Sequence, residues 1–305
     1  MRIATLIVNP SAGRARVLTA NLAAILTLLA DEGYRAEVVE TSAEDGSAWR
    51  LAAEAAKGSA LVIACGGDGT VHGVVQGLAQ TQVVLGIVPV GTANALARNL
   101  KLPLDPLAAV RRLMTYHARA VPLGRIAGAG GTRWFCLMAG CGPAGALVDA
   151  MARGSALKKR FGRIAYYAHA ARLFLTRSWP RFRAEFCPAG EEWQSLEAVA
   201  VMACWVPDLG GLFSGVTHKA SVMDGRLHVQ IVRGPAWLSL PAWMLFGARG
   251  PWVKEVDAEE LRWMPIGVSN VYVQADAEPM GILPVEVCVV PAAILMLMPE
   301  AGGLD

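Results

Sequence analysis

The stretch Cys65-Gly66-Gly67-Asp68-Gly69-Thr70 combines the residue types that phosphoryl chemistry requires. Its glycines let the backbone approach a bulky anion with amide groups turned inward. The carboxylate of Asp68 repels a bare phosphate. It fits beside one if a divalent cation lies between them, or if it takes a proton from an attacking hydroxyl. The plainer alternative is a strand-to-helix turn that needs glycine for its shape alone.

Two further loops carry matching chemistry. Asn9-Pro10-Ser11-Ala12-Gly13 and Pro89-Val90-Gly91-Thr92-Ala93-Asn94 are both polar and bear glycine. Asn9, Ser11, Thr70, Thr92 and Asn94 are small side chains. They can hydrogen-bond phosphate and ribose without filling the space a ligand needs.

The elements that must position these loops follow from apolar patterning. Arg2–Val8, Ala36–Glu40, Leu61–Ala64 and Val83–Val88 read as strands, and Val17–Ala30 and Ala48–Lys57 as helices. This alternation predicts an α/β domain over residues 1–123 with a doubly wound parallel sheet. Ligands bind such sheets at the carboxyl ends of the strands, where Asn9, Thr41, Gly66 and Gly91 fall. Beyond the turn at Ala127–Gly131, strands dominate: Trp134–Met138, Ala198–Cys204, Arg226–Val232, Val271–Gln274, Val285–Val290 and Ile294–Met298. Most are short and bounded by Gly, Pro or Asp. They predict a second domain over residues 124–305, an antiparallel β-sandwich.

Taken together, NPSAG, GGDGT and PVGTANALAR resemble, in order and spacing, the diacylglycerol kinase catalytic-domain family, to which sphingosine and ceramide kinases are more distantly related. Ala139-Gly140-Cys141-Gly142 is similar to the glycine motif that opens the family's second domain. Met223–Val229 resembles its Asp-Gly-x-Leu strand start, and Gln274–Pro279 stands where the family carries Asp-Gly-Glu. The resemblance implies a lipid kinase that uses ATP and Mg²⁺, with the active site between two domains. Asn9, Ser11, Gly13, Thr41, Gly66, Gly67, Gly69, Thr70, Gly91, Thr92 and Asn94 would hold the nucleotide. Asp68, Asp276 and Glu278 would be catalytic, one of the latter two as general base. Asp68 and Asp224 would hold metal, Asp224 in a structural role; an ordinary Asp-Gly turn is the alternative there. The acceptor would be a diacylglycerol-like or sphingoid-like lipid.

The chain departs from the family's pattern at three places. Ala95 replaces an aspartate, Gly142-Pro143-Ala144-Gly145 replaces Gly-Phe-Asp-Ala, and Ala277 replaces the glycine of Asp-Gly-Glu. Fewer carboxylates imply a differently built metal network and leave the lipid open. At Ala277, either the turn has negative φ or it carries strain of about 1 kcal/mol. NAD kinases also use GGDGT, but their Asn-Glu and Thr-Pro-Thr-Gly-Ser-type motifs do not occur in this chain. A non-catalytic lipid-binding protein on the same fold is the other alternative. A Walker A loop, the protein-kinase motifs and a Gly-x-Gly-x-x-Gly after the first strand are all missing.

Composition points to a protein with some exposed apolar surface and no spanning helix. Apolar residues make up 54% and charged residues 17%, yet no apolar run reaches the ~18 residues of a spanning helix. The amino terminus does not read as a signal peptide, and six scattered cysteines show no metal spacing, so a cytoplasmic protein with reduced thiols is expected. Residues 150–184 hold nine basic residues and no acidic one, on a helical pattern. Residues 235–253 hold Trp237, Trp243 and Trp252 and a single charge, Arg249. Each segment reads either as packed structure or as a site for an anionic membrane surface at the inner face of the membrane. Nucleic acid is not an expected partner, and no oligomeric state is assigned.

Overall fold

Aliphatic runs near the amino terminus form parallel strands separated by helices. The computed structural model describes residues 2–153, 178–188, 190–209, 220 and 222–299. In chain order the first elements are β1 (Arg2–Val8), α1 (Ala15–Asp31), β2 (Tyr34–Glu40), α2 (Ser47–Ala55), β3 (Leu61–Gly66), α3 (Asp68–Leu78), β4 (Val84–Pro89), α4 (Ala95–Asn99) and α5 (Pro106–Leu113). Next come β5 (His117–Gly128), β6 (Gly131–Phe135), β7 (Met138–Cys141), α6 (Pro143–Arg153), β8 (Phe182–Cys187), β9 (Gln194–Ala198), β10 (Ala200–Cys204) and β11 (Leu227–Val232). The last are α7 (Ala236–Phe246), β12 (Val253–Ala258), β13 (Glu260–Pro265), β14 (Tyr272–Ala275), β15 (Glu278–Ile282) and β16 (Val285–Met298).

The chain divides into two units. The first comprises Met1–Leu123, Val206–Met223 and Val290–Asp305, and the second Gly124–Trp205 and Asp224–Val289. In the first unit the strands run parallel in the order β2-β1-β3-β4-β16. Every residue of β3 is buried, as a parallel strand covered on both faces must be. The sheet reverses its winding between β1 and β3, so the loops after these strands leave from the switch point.

Helix α3 is held by close packing on α2. A β-carbon at Gly77 would lie 2.7 Å from Ala52 Cβ and 2.8 Å from the Trp49 carbonyl oxygen. One at Gly73 would lie 2.8 Å from Ala48 Cβ. Glycines inside a helix carry an entropic cost, and here they let two helices touch along their backbones. The alanine-rich stretch of α2 supplies the matching small surface.

The second unit contains the expected antiparallel strands. Six pair in the order β12-β11-β10-β7-β14-β15, and β13 pairs antiparallel with β8 and with the first part of β16. Its core includes Phe135, Phe182, Phe186, Trp205 and Trp263, all essentially inaccessible. The expectation that everything beyond residue 123 belongs to the sandwich is corrected at β16. Leu295 and Met296 pair in parallel with Val84 and Leu85 of β4, so the stretch Ile294–Met298 completes the first unit's sheet. One unbroken 14-residue strand was legible only as two short ones, because Pro291 interrupts the apolar run.

The hairpin β14–β15 turns on two residues with positive φ, Asp276 at 48° and Ala277 at 65°, the pattern of a type I′ turn. Of the two alternatives at Ala277, strain is therefore the one realised. Ala277→Gly should raise unfolding stability by about 0.5–1 kcal/mol, the relief of left-handed strain less the added freedom of the unfolded chain. Denaturant titration checks this, and a lower midpoint would contradict the turn geometry.

Candidate active site

The loops after β1, β3 and β4 are stitched together by backbone hydrogen bonds. Asn9 N–H donates to the Cys65 carbonyl at 3.0 Å, Val90 N–H to Gly66 at 3.0 Å, and Arg14 N–H to Val90 at 2.9 Å. The Asn9 amide donates to Thr70 Oγ1 at 3.1 Å, while its carbonyl oxygen accepts from Ser11 N–H at 2.9 Å. Asn9 and buried Thr70 thus tie the first loop to the first turn of α3. Thr41 N–H donates to the Val8 carbonyl at 2.8 Å, which seats Thr41 beside the same loop.

Gly67 and Gly91 meet backbone to backbone. A β-carbon on Gly91 would collide with Gly67 Cα and lie 2.9 Å from Asn94 Oδ1. Asn94 is buried with φ 51°, accepts from Gly91 N–H at 2.9 Å and donates to the Gly91 carbonyl at 2.9 Å. Its amide group holds the Gly-Thr-Ala-Asn loop in shape. Asp68 Oδ1 accepts from Ala95 N–H at 2.7 Å, fastening the third loop to the fourth. Ser11, Gly13, Gly69 and Thr92 are exposed, and a β-carbon at Gly13 would lie 3.7 Å from Thr92 Oγ1. The predicted nucleotide-binding residues of the first unit therefore gather at one sheet edge. They include a scaffold of half-buried Asn9 with buried Thr70 and Asn94, and an exposed rim of Ser11, Gly13, Gly69 and Thr92. Helix α3 starts there with an uncapped amino end, the positive pole of its dipole.

Beneath this edge, burial pushes the Cys65 thiol up to about 12; in the second unit, burial raises Cys141 well above its ordinary value. Both stay protonated at neutral pH, and none of the six cysteines is joined in a disulfide. Among the described residues, no three His, Cys, Asp or Glu side chains are grouped to hold a metal.

In the second unit, Asp276 is buried and both of its carboxylate oxygens are engaged. Oδ2 accepts from Cys136 N–H at 2.8 Å, and Oδ1 accepts from Leu137 N–H and Met138 N–H, each at 2.9 Å. Its own N–H donates to the Met138 carbonyl at 2.8 Å, and Ala277 N–H donates to Gln274 Oε1 at 2.8 Å. Glu278 follows as an exposed residue at the start of β15. Asp224 is exposed, at the turn before β11. The Cys136–Met138 amides escaped sequence reasoning because backbone donors leave no mark in residue type. A second missed link is Asn99, which donates from Nδ2 to the Asp208 carbonyl at 2.8 Å across 109 residues of chain.

Comparison with known proteins bears on this geometry. The diacylglycerol kinase catalytic domain matches residues 3–126, and the YegS C-terminal NAD kinase beta sandwich-like domain matches residues 142–298. A diacylglycerol kinase of Mycobacterium tuberculosis (strain H37Rv) is 30% identical over 305 residues, covering 98% of this chain and 96% of that protein. A diacylglycerol kinase of Bacillus subtilis (strain 168) is 31% identical over 237 residues, covering 76% and 74%. A Pseudomonas putida protein named "Probable lipid kinase YegS-like" is 31% identical over 280 residues, covering 90% of each. Among solved structures, a diacylglycerol kinase from Bacillus anthracis str. Sterne superposes with a TM-score of 0.69 at 22% identity, covering 98% of this chain and 97% of that one; this likeness speaks for the fold.

The Asp276 clamp generates a stability prediction. Asp276→Ala would strand three backbone N–H groups, each worth about 1–3 kcal/mol when left unsatisfied. The variant should lose at least ~3 kcal/mol in denaturant unfolding, with Asp276→Asn falling between it and the parent. A loss under ~1 kcal/mol in Asp276→Ala would show that the clamp carries little.

Proposed function

The chain belongs to the diacylglycerol kinase catalytic-domain family and is a lipid kinase, and on that premise we propose that it moves the γ-phosphoryl group of ATP, with Mg²⁺, to a hydroxyl of a diacylglycerol-like or sphingoid-like lipid. The NAD-kinase and non-catalytic readings give way to this one. The observation that carries the proposal is the fastening of Asp68 to Ala95, with Gly67 against Gly91, at the carboxyl edge of the parallel sheet. Phosphoryl transfer is mostly positioning and charge stabilisation, so a rigid loop cluster with exposed amides and small hydroxyls suits it.

In this reading Ser11, Gly13, Thr41, Gly66, Gly67, Gly69, Gly91 and Thr92 receive the phosphates and ribose, with Asn9, Thr70 and Asn94 keeping the loops in shape. A magnesium ion typically needs one or two carboxylates plus substrate phosphates, so Asp68 beside an anion-binding helix end fits it. The ion would neutralise charge on the transferring group. Asp224, exposed and in the other unit, is proposed for a separate structural ion. Glu278 is proposed as the general base that takes the acceptor's proton, with Asp276 fixing the backbone from which Glu278 projects. The protein is proposed to work as a peripheral protein at the inner face of the membrane; no described helix is long and apolar enough to cross one.

Release of ADP on mixing with Mg-ATP and a panel of detergent-dispersed lipids tests the function and identifies the acceptor. Asp68→Asn should lower turnover by at least ~10²-fold, the scale of losing one preorganised electrostatic group. A folded Asp68→Asn protein within threefold of the parent would overturn the assignment. Glu278→Gln should cut transfer with nucleotide affinity unchanged in a calorimetric titration. Transfer at the parental rate would remove Glu278 from the chemistry.

A further inference from the structure

Two segments that the sequence sets fifty residues apart meet in the second unit. Helix α7 is carried on the connection between β11 and β12, whose roots pair at Val232 and Val253. Because α7 is apolar on every side, its periodicity gives no orientation, but its burial does. Leu240, Ser239 and Trp243 face inward, and Trp243 Nε1 donates to Gln230 Oε1 at 2.9 Å on fully buried β11. Trp237 is 78% exposed and Leu238 is 38% exposed, and Pro241 is exposed one turn on. Among the described side chains, the outward face of the helix is thus tryptophan, leucine and proline, with no charge.

Exposed arginines flank this helix. Arg233 and Arg249 are exposed on either side of the helix, at the two ends of the same connection. Arg181, from the carboxyl end of the basic segment, reaches the Gly234 carbonyl at 3.5 Å with Nη2 and pairs with Glu197 at 3.1 Å. The rest of that segment, residues 154–177, lies outside the described residues. An exposed tryptophan on an uncharged helix, collared by arginines, has the chemistry of the bilayer interface. There an indole ring sits among headgroups, its apolar body buried and its N–H hydrated, while guanidinium groups meet anionic phosphates.

We infer that Trp237, Leu238 and Pro241, with the collar of Arg181, Arg233 and Arg249, form the face by which this protein docks on an anionic lipid bilayer. The inference rests on the lipid-kinase reading and gives it a place of attachment. Its inward anchor is the Trp243–Gln230 bond, so the helix docks as part of the β-sheet that carries it. The occupant is a bilayer, on the ground of charge: an apolar protein partner would gain nothing from the arginine collar.

The test uses the whole chain and vesicles of phosphatidylcholine with or without 30% phosphatidylglycerol. Wild type should co-sediment with the anionic vesicles, and binding should fall as salt rises. Trp237→Ala with Leu238→Ser should weaken that binding at least ~10-fold, and Arg233→Glu with Arg249→Glu should do so at low salt but little at high salt. Both variants should keep the parental melting temperature and phosphorylate detergent-dispersed lipid within twofold of wild type. Vesicle binding within twofold of wild type in a folded Trp237→Ala, Leu238→Ser protein would overturn the inference. So would a dimer that this variant dissolves, since the face would then belong to a second copy. Failure of wild type to phosphorylate any dispersed lipid would instead count against the functional reading, while leaving vesicle binding to judge the face separately.

Discussion

The near-contact of Gly67 with Gly91 sets the terms for the first unit. Two loops from adjacent strands can share one sheet edge in this way only if their backbones approach closer than a β-carbon permits. Once they do, the other choices follow. Val90 must donate to Gly66, Asn94 must adopt a left-handed conformation to bond Gly91 on both sides, and Asp68 comes within reach of the Ala95 amide. Alanine at position 95 serves this fastening as well as any residue with a backbone N–H would, because the bond uses that group. The side chain is dispensable for the loop's shape even where it would matter for a metal.

The second unit relies on a comparable device with the roles reversed. There a buried carboxylate gathers three successive amides, and the tight turn that carries it bears a residue poorly suited to its conformation. A hydrogen-bonded carboxylate of this kind is stronger than a neutral acceptor, which helps explain how alanine is tolerated at 277. Position 276 can therefore be demanded by architecture even if another acid performs proton transfer.

Much of the first unit was legible because its signals are local. β1, α1, β2, α2, β3 and β4 announce themselves by apolar period, and three of the strands by the glycine loops that end them. The second unit was legible in class but not in detail. β5 was missed because Pro122 and Gly124 read as punctuation, whereas Gly124 is there to make room for the Phe135 ring directly across the ladder. β15 was missed for Pro279 and Gly281, which an edge strand accommodates. At the site, residue types single out Asn9, Thr70 and Asn94 as groups for a ligand but not as braces between loops, since that depends on which neighbours their amide and hydroxyl groups find. Trp237 and Trp243 looked equivalent in sequence. Only burial separates them, one packed on Gln230 and the other facing out.

The parallel pairing of β16 with β4 has a consequence for how the protein comes into being. A ribosome delivers β4 some two hundred residues before the strand that will flank it, and Gln80 N–H waits equally long for the Ala293 carbonyl. Until then the nascent parallel sheet carries an open edge of unpaired amides and carbonyls, the kind of edge that recruits other chains. Closing so distant a pair is slow, because the loop entropy is lost before the contact forms. The amino-terminal domain therefore finishes folding only after the whole second unit has been synthesised, and a fragment ending near residue 123 would lack the strand that seals it.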